Sequence, residues 1–101
     1  MIKHVVCWNL YENAKGKTRQ QNALEIKEKL LDLKNKIPHI QTIEVGVNSD
    51  KANPDNYDVV LITEFNNFED LETYQKHPAH QDFVDFVTPL RSDKVAVDYE
   101  N

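Results

Sequence analysis

The first ten residues alternate Ile2, His4, Val6, Trp8 and Leu10 against Lys3, Val5, Cys7 and Asn9. Successive side chains of an extended strand point to opposite faces, and here both faces carry apolar groups: Val6 and Trp8 in one register, Val5 and Cys7 in the other. A strand of this kind asks for cover on both sides. That demand restricts the possible folds more than any other feature of the chain.

Local signals divide the rest. Thr18 followed by Gln21 fits a capping box, which predicts a helix from about residue 19. Ala23, Ile26, Leu30, Leu33 and Ile37 recur at steps of three and four, a stripe widened by Leu24 and Leu31. Lys27, Lys29, Lys34 and Lys36 are interleaved with Glu25, Glu28 and Asp32, so the other side reads as a solvated face rather than a basic patch. Pro38 disfavours a helical Ile37 and ends the helix near residue 36. Residues 39–48 alternate as a strand, 48–56 are dense in turn formers, and 57–65 form another strand. Asn66 and Asn67 can cap a short helix with Phe68, Leu71 and Tyr74 on one side. Pro78 begins a further helix with Ala79, Phe83, Phe86, Val87 and Leu90 as its apolar set, Pro89 ends it, and Val95, Val97 and Tyr99 alternate in a last strand. Residues 12–17 are polar, contain Gly16 and read as a loop.

The order strand, helix, strand, strand, helix pair, strand is that of a single α+β domain over residues 1–101, a ferredoxin-like βαββ(αα)β subunit with a four-stranded antiparallel sheet and its helices on one face. The other face would be apolar and bare. A second copy related by a two-fold axis covers it, which predicts a homodimer joined through the open sheet face and closed into a dimeric α/β barrel.

The formal net charge is −5 and the pI is near 5.3, which argues against nucleic-acid or anionic-membrane partners. Cys7 is the single cysteine, so no intrachain disulfide can form and a reducing compartment is expected. The apolar run at the N-terminus is too short for a signal peptide, and no stretch approaches a membrane span, so the expected location is the cytoplasm. No glycine-rich phosphate loop, nucleophile motif or glycosidase-type carboxylate pair is present. No cofactor is implied. His77 and His80 without a placed carboxylate or thiolate make a weak metal set, so no metal site is expected.

The chemistry gathers in Tyr74-Gln75-Lys76-His77-Pro78-Ala79-His80. Proline suits the first position of a helix, which makes His77 the N-cap and His80 the third helical residue. The positive end of the helix dipole favours a neutral imidazole there. With the Tyr74 phenol one short step behind, His80 reads as a general base with a hydrogen-bonding partner. The bland account is that His77 caps the helix, His80 bonds the backbone or Tyr74, and the motif sets the angle between two short helices.

Ile2-Lys3-His4-Val5-Val6, Ile37-Pro38-His39-Ile40, Glu44-Val45-Gly46-Val47-Asn48, Tyr57-Asp58-Val59-Val60-Leu61, the Tyr74–His80 segment and Val97-Asp98-Tyr99 together resemble the stress-responsive A/B barrel (Dabb) family in its own order. The resemblance implies a dimeric α+β barrel of ferredoxin-like subunits, in a family made up mostly of stress-associated or uncharacterised proteins. A plant polyketide cyclase of the family is similar in the Tyr-x-x-His-Pro-x-His segment. By motif position its base is His80 here and the partner Tyr74, and His4 matches a histidine facing its cavity. The expected site, lined by His4, Tyr57, Tyr74, His77 and His80, would take a small apolar ligand near His80, the alternative being an aldol-type cyclisation with His80 as base. Haem-degrading and quinol-type monooxygenases share the barrel and use Asn, Trp and His. Trp8, Asn9 and His80 supply those types, but Trp8 and Asn9 are consecutive and must face opposite ways.

Overall fold

The computed structural model describes residues 1–101. Strand β1 (Ile2–Leu10) runs in the middle of the sheet, followed by a short hairpin of β2 (Asn13–Ala14) and β3 (Lys17–Thr18) and by helix α1 (Arg19–Lys36). Strands β4 (Thr42–Val47) and β5 (Val59–Phe65), helices α2 (Phe68–Lys76) and α3 (Pro78–Val87), and strand β6 (Arg91–Glu100) complete the chain. The sheet order is β4-β5-β1-β6, antiparallel throughout. This is the ferredoxin-like arrangement expected from the element order.

Local chemistry accounts for the element ends. The Thr18 hydroxyl accepts the Gln21 N–H at 3.2 Å and the Gln21 side chain accepts the Thr18 N–H at 3.0 Å, a complete capping box. Asn67 caps α2 through the Asp70 N–H at 2.8 Å. The segment expected to be a loop before α1 is the β2–β3 hairpin. Lys15 and Gly16 both take positive φ, 54° and 77°, the pair of left-handed residues that matches a tight turn to strand twist. The buried Asn22 amide donates to the Ala14 carbonyl at 3.1 Å and ties this hairpin to α1.

The alternation of β1 sorts its residues as expected. Ile2, His4, Val6, Trp8 and Leu10 are buried beneath the helices, joined by Val59, Leu61, Thr63 and Phe65 of β5 and by the α1 stripe Ala23, Ile26, Leu30 and Leu33. Leu24 and Leu31 do not widen that stripe. They are 51% and 39% exposed, because each sits one residue past a buried position, and a step of about 100° carries it off the sheet. Phe68 is likewise exposed, standing at the very start of α2, whereas Leu71 and Tyr74 are buried.

No helix lies on the opposite side of the sheet. The register Val5↔Val97 and Cys7↔Val95 on β6, and Val5↔Ile62 and Cys7↔Val60 on β5, places six apolar side chains on that open face. Val95 and Val97 are 46% and 61% exposed there. No helix is long and apolar enough to cross a membrane.

Candidate functional site

Helices α2 and α3 meet at His77, which serves as C-cap of the first and N-cap of the second. Its Nδ1 accepts the Ala79 N–H at 3.0 Å, and Pro78 occupies the first helical position, where its missing N–H is not needed. The joint turns α3 so that His80 faces back toward the last turn of α2. His80 Nδ1 lies 3.0 Å from the Gln75 carbonyl oxygen. A carbonyl can only accept, so Nδ1 carries the hydrogen and Nε2 keeps the lone pair of the neutral ring.

Tyr74 is the hub of the site. It is 1% exposed, packs on Phe65 with centroids 5.0 Å apart, and has two imidazoles near its ring, His80 at 4.6 Å and His4 at 6.0 Å. His4 is buried and donates from Nδ1 to the Asp98 carboxylate. The register His4↔Asp98 between β1 and β6 puts the two side chains on the helix side of the sheet, 94 residues apart in sequence.

These environments separate the roles of the groups. Burial pushes the His80 pKa below its usual 6.5; the bond to Gln75 opposes this, while nearby Lys94 and His4 add to it. Burial pushes the Tyr74 phenol well above its usual 10.0. The imidazole is therefore a neutral acceptor through Nε2 at neutral pH, and the phenol is a donor that stays protonated.

A cavity of about 70 Å³ between the sheet and α2–α3 is lined by His4, Tyr74 and His80 together with Trp8, Phe83 and Val84, and by Arg91 and Lys94 of β6. It is far smaller than a drug-sized pocket. A larger hollow of about 240 Å³ lies between Arg19 and the 48–58 turn region, but it contains neither imidazole nor phenol.

Two residues expected in the site are elsewhere. Tyr57 belongs to a different hollow, with Cys7 and Gly46 of the open face, and donates its hydroxyl to Asp93. Extending the strand alternation to position 57 fails because β5 begins at Val59, while Asp58 turns inward to accept the Leu10 N–H at 2.8 Å. His77 is committed to its cap and does not line the cavity. Trp8 is buried under the helices and Asn9 points to the other side, as their adjacency requires.

Asp98, Arg91, Lys94 and the Gln75 carbonyl also belong to the site, though no local sequence signal marks them as site residues. Asp98 was traceable once β6 is laid antiparallel to β1. Arg91 was not, because its position depends on a register shift.

No curated protein matches the sequence. Several solved structures do. A dimeric protein of unknown function with a ferredoxin-like fold from Bacteroides fragilis is 30% identical, with 99% of this chain and 95% of that chain covered and a TM-score of 0.85. A dimeric ferredoxin-like protein of unknown function from Thermobifida fusca is 21% identical over 99% and 90%, with a TM-score of 0.83. A hydroxynitrile lyase from Passiflora edulis is 17% identical over 97% and 90%, with a TM-score of 0.76, a likeness of fold. The description of the stress responsive A/B barrel domain matches residues 2–101. Sequence order, sheet topology and this match agree, and the chain belongs to the stress-responsive A/B barrel family.

Proposed function

We propose that this protein is a homodimer that binds a small carbonyl compound in the cavity at His80 and moves a proton on it. The observation that carries this reading is the Gln75 carbonyl holding His80 Nδ1, which leaves a basic Nε2 beside a protonated phenol at a cavity that both residues line. In the proposed step Nε2 takes the proton from the carbon next to the ligand carbonyl. The C–H electron pair passes into the enolate, and the Tyr74 hydroxyl donates a hydrogen bond to the enolate oxygen. Asp98 holds His4 in place behind the phenol.

The ligand is small. On a measure in which one water needs about 10–15 Å³, the 70 Å³ cavity takes only a handful of heavy atoms. An aldol-type cyclisation of a long poly-β-keto chain would need more room, so a short carbonyl compound is the better fit. The dimer is proposed to form through the open sheet face, closing a dimeric α/β barrel. Val95 and Val97 are exposed on that face, and the Bacteroides and Thermobifida proteins are dimeric. The lone Cys7 supports a reducing, cytoplasmic setting.

Solvent-deuterium exchange into butanone, followed by proton NMR, tests the proton-transfer step. Exchange faster than buffer that is lost in His80→Gln, with the variant's amide spectrum otherwise unchanged, is the expected result. A wild-type rate equal to the buffer rate would overturn the proposal.

A further inference from the structure

Strand β6 departs from regular pairing at one place. Lys94 pairs with Trp8 and Asp93 with Asn9, but Leu10 then pairs with Arg91, so Ser92 is skipped. In a regular strand Arg91 would share the face of Asp93, on the open side. The bulge turns it over, and Arg91 comes to the helix side with Lys94, opposite the buried Leu10 and Trp8. Bulges are a means by which a strand re-aims one side chain. This one brings a second cation to the rim of the cavity that contains His80 and Tyr74.

The charge at that rim is unlike that of the whole chain. The protein has 17 acidic against 12 Lys and Arg residues, yet both permanently charged residues lining the cavity are cations. Neither is within ion-pair distance of a carboxylate, although Arg91 is near enough to Asp93 to help lower that acid's pKa: the ion pairs are His4–Asp98, Lys17–Glu25, Arg19–Asp58, Lys36–Asp32 and Lys76–Glu72. The two nearby acids are engaged elsewhere, Asp93 with the Tyr57 hydroxyl and Asp98 with His4. Behind the rim the wall is apolar, formed by Trp8, Phe83 and Val84.

We propose that the ligand of this cavity is a small carboxylic acid whose apolar end lies against the wall formed by Trp8, Phe83 and Val84 while its carboxylate is met at the rim by Arg91 and Lys94. The inference rests on the ligand site argued above and deepens it: the carbonyl compound is a short-chain oxo acid. A guanidinium offers a carboxylate two parallel N–H donors, and an ammonium on the neighbouring strand position adds a point charge. The same cations exclude amines and favour anions over neutral molecules of equal shape.

Pentanoate and pentanamide have nearly the same shape and differ in charge, so they serve as the probe pair. Each is titrated into the full-length protein while the resonances of Trp8, Tyr74 and His80 are followed by NMR. Pentanoate is expected to bind about tenfold more tightly than pentanamide. That preference should fall in Arg91→Gln and in Lys94→Gln and vanish in the double variant, whose wild-type-like spectrum and pentanamide affinity would show that the cavity persists. Equal affinity for acid and amide would overturn the inference while leaving a ligand site in place. So would an acid preference that survives the double substitution. If neither compound moves the three resonances, the ligand site itself fails and the inference falls with it.

Discussion

His80 and Tyr74 meet ring to ring, with centroids 4.6 Å apart and planes at 58°, while His80 Nδ1 turns away to donate to the Gln75 carbonyl. The expected hydrogen bond between phenol and imidazole is thus replaced by packing. A backbone carbonyl orients the base, and the phenol is held beside it as an independent donor.

This arrangement predicts a tautomer and a titration. Ring ¹⁵N shifts should show His80 protonated at Nδ1 in the neutral form, with a midpoint below 6.5. Because its folded pKa is depressed, the unfolded chain binds more protons than the folded one between the two values, so stability falls as pH drops through that window and rises with pH. Chemical denaturation of wild type and His80→Gln on either side of 6.5 should show that part of the pH dependence disappearing in the variant.

Tyr74 should matter through its ring for stability and through its hydroxyl for chemistry. Tyr74→Phe keeps the contacts with Phe65, His4 and His80 and should unfold close to wild type, with proton exchange reduced. Tyr74→Ala removes a fully buried aromatic ring and should cost about 3–5 kcal/mol by urea denaturation. Equal stability of the two variants would contradict the packing described here.

Val97, 61% exposed in the subunit, tests the dimer. A charge buried between two apolar sheets has no partner, so Val97→Asp should give a monomer by light scattering after size exclusion. An intact dimer would place the contact on another face.

The capping box at Thr18 predicts a modest and local loss. Thr18→Ala should lower stability by about 1 kcal/mol, read as a shifted denaturation midpoint with no change in affinity for cavity probes.

Much of this molecule was legible in its sequence because the deciding interactions are short-range. The Thr18–Gln21 box and Pro38 bound α1 within a turn of the residues concerned. His77 and Pro78 divide α2 from α3 by backbone chemistry alone, and strand alternation declares which residues of β1 share a face. Tertiary structure decided what depends on partners far along the chain. The antiparallel register brings Asp98 to His4, and a bulge turns Arg91 toward the cavity. Asp58 turns inward to Leu10, with Tyr57 left among the residues of the open face. Nothing within a few residues of those positions encodes the outcome, since a side chain's face and neighbours on a sheet are set by the strand beside it rather than by its own sequence.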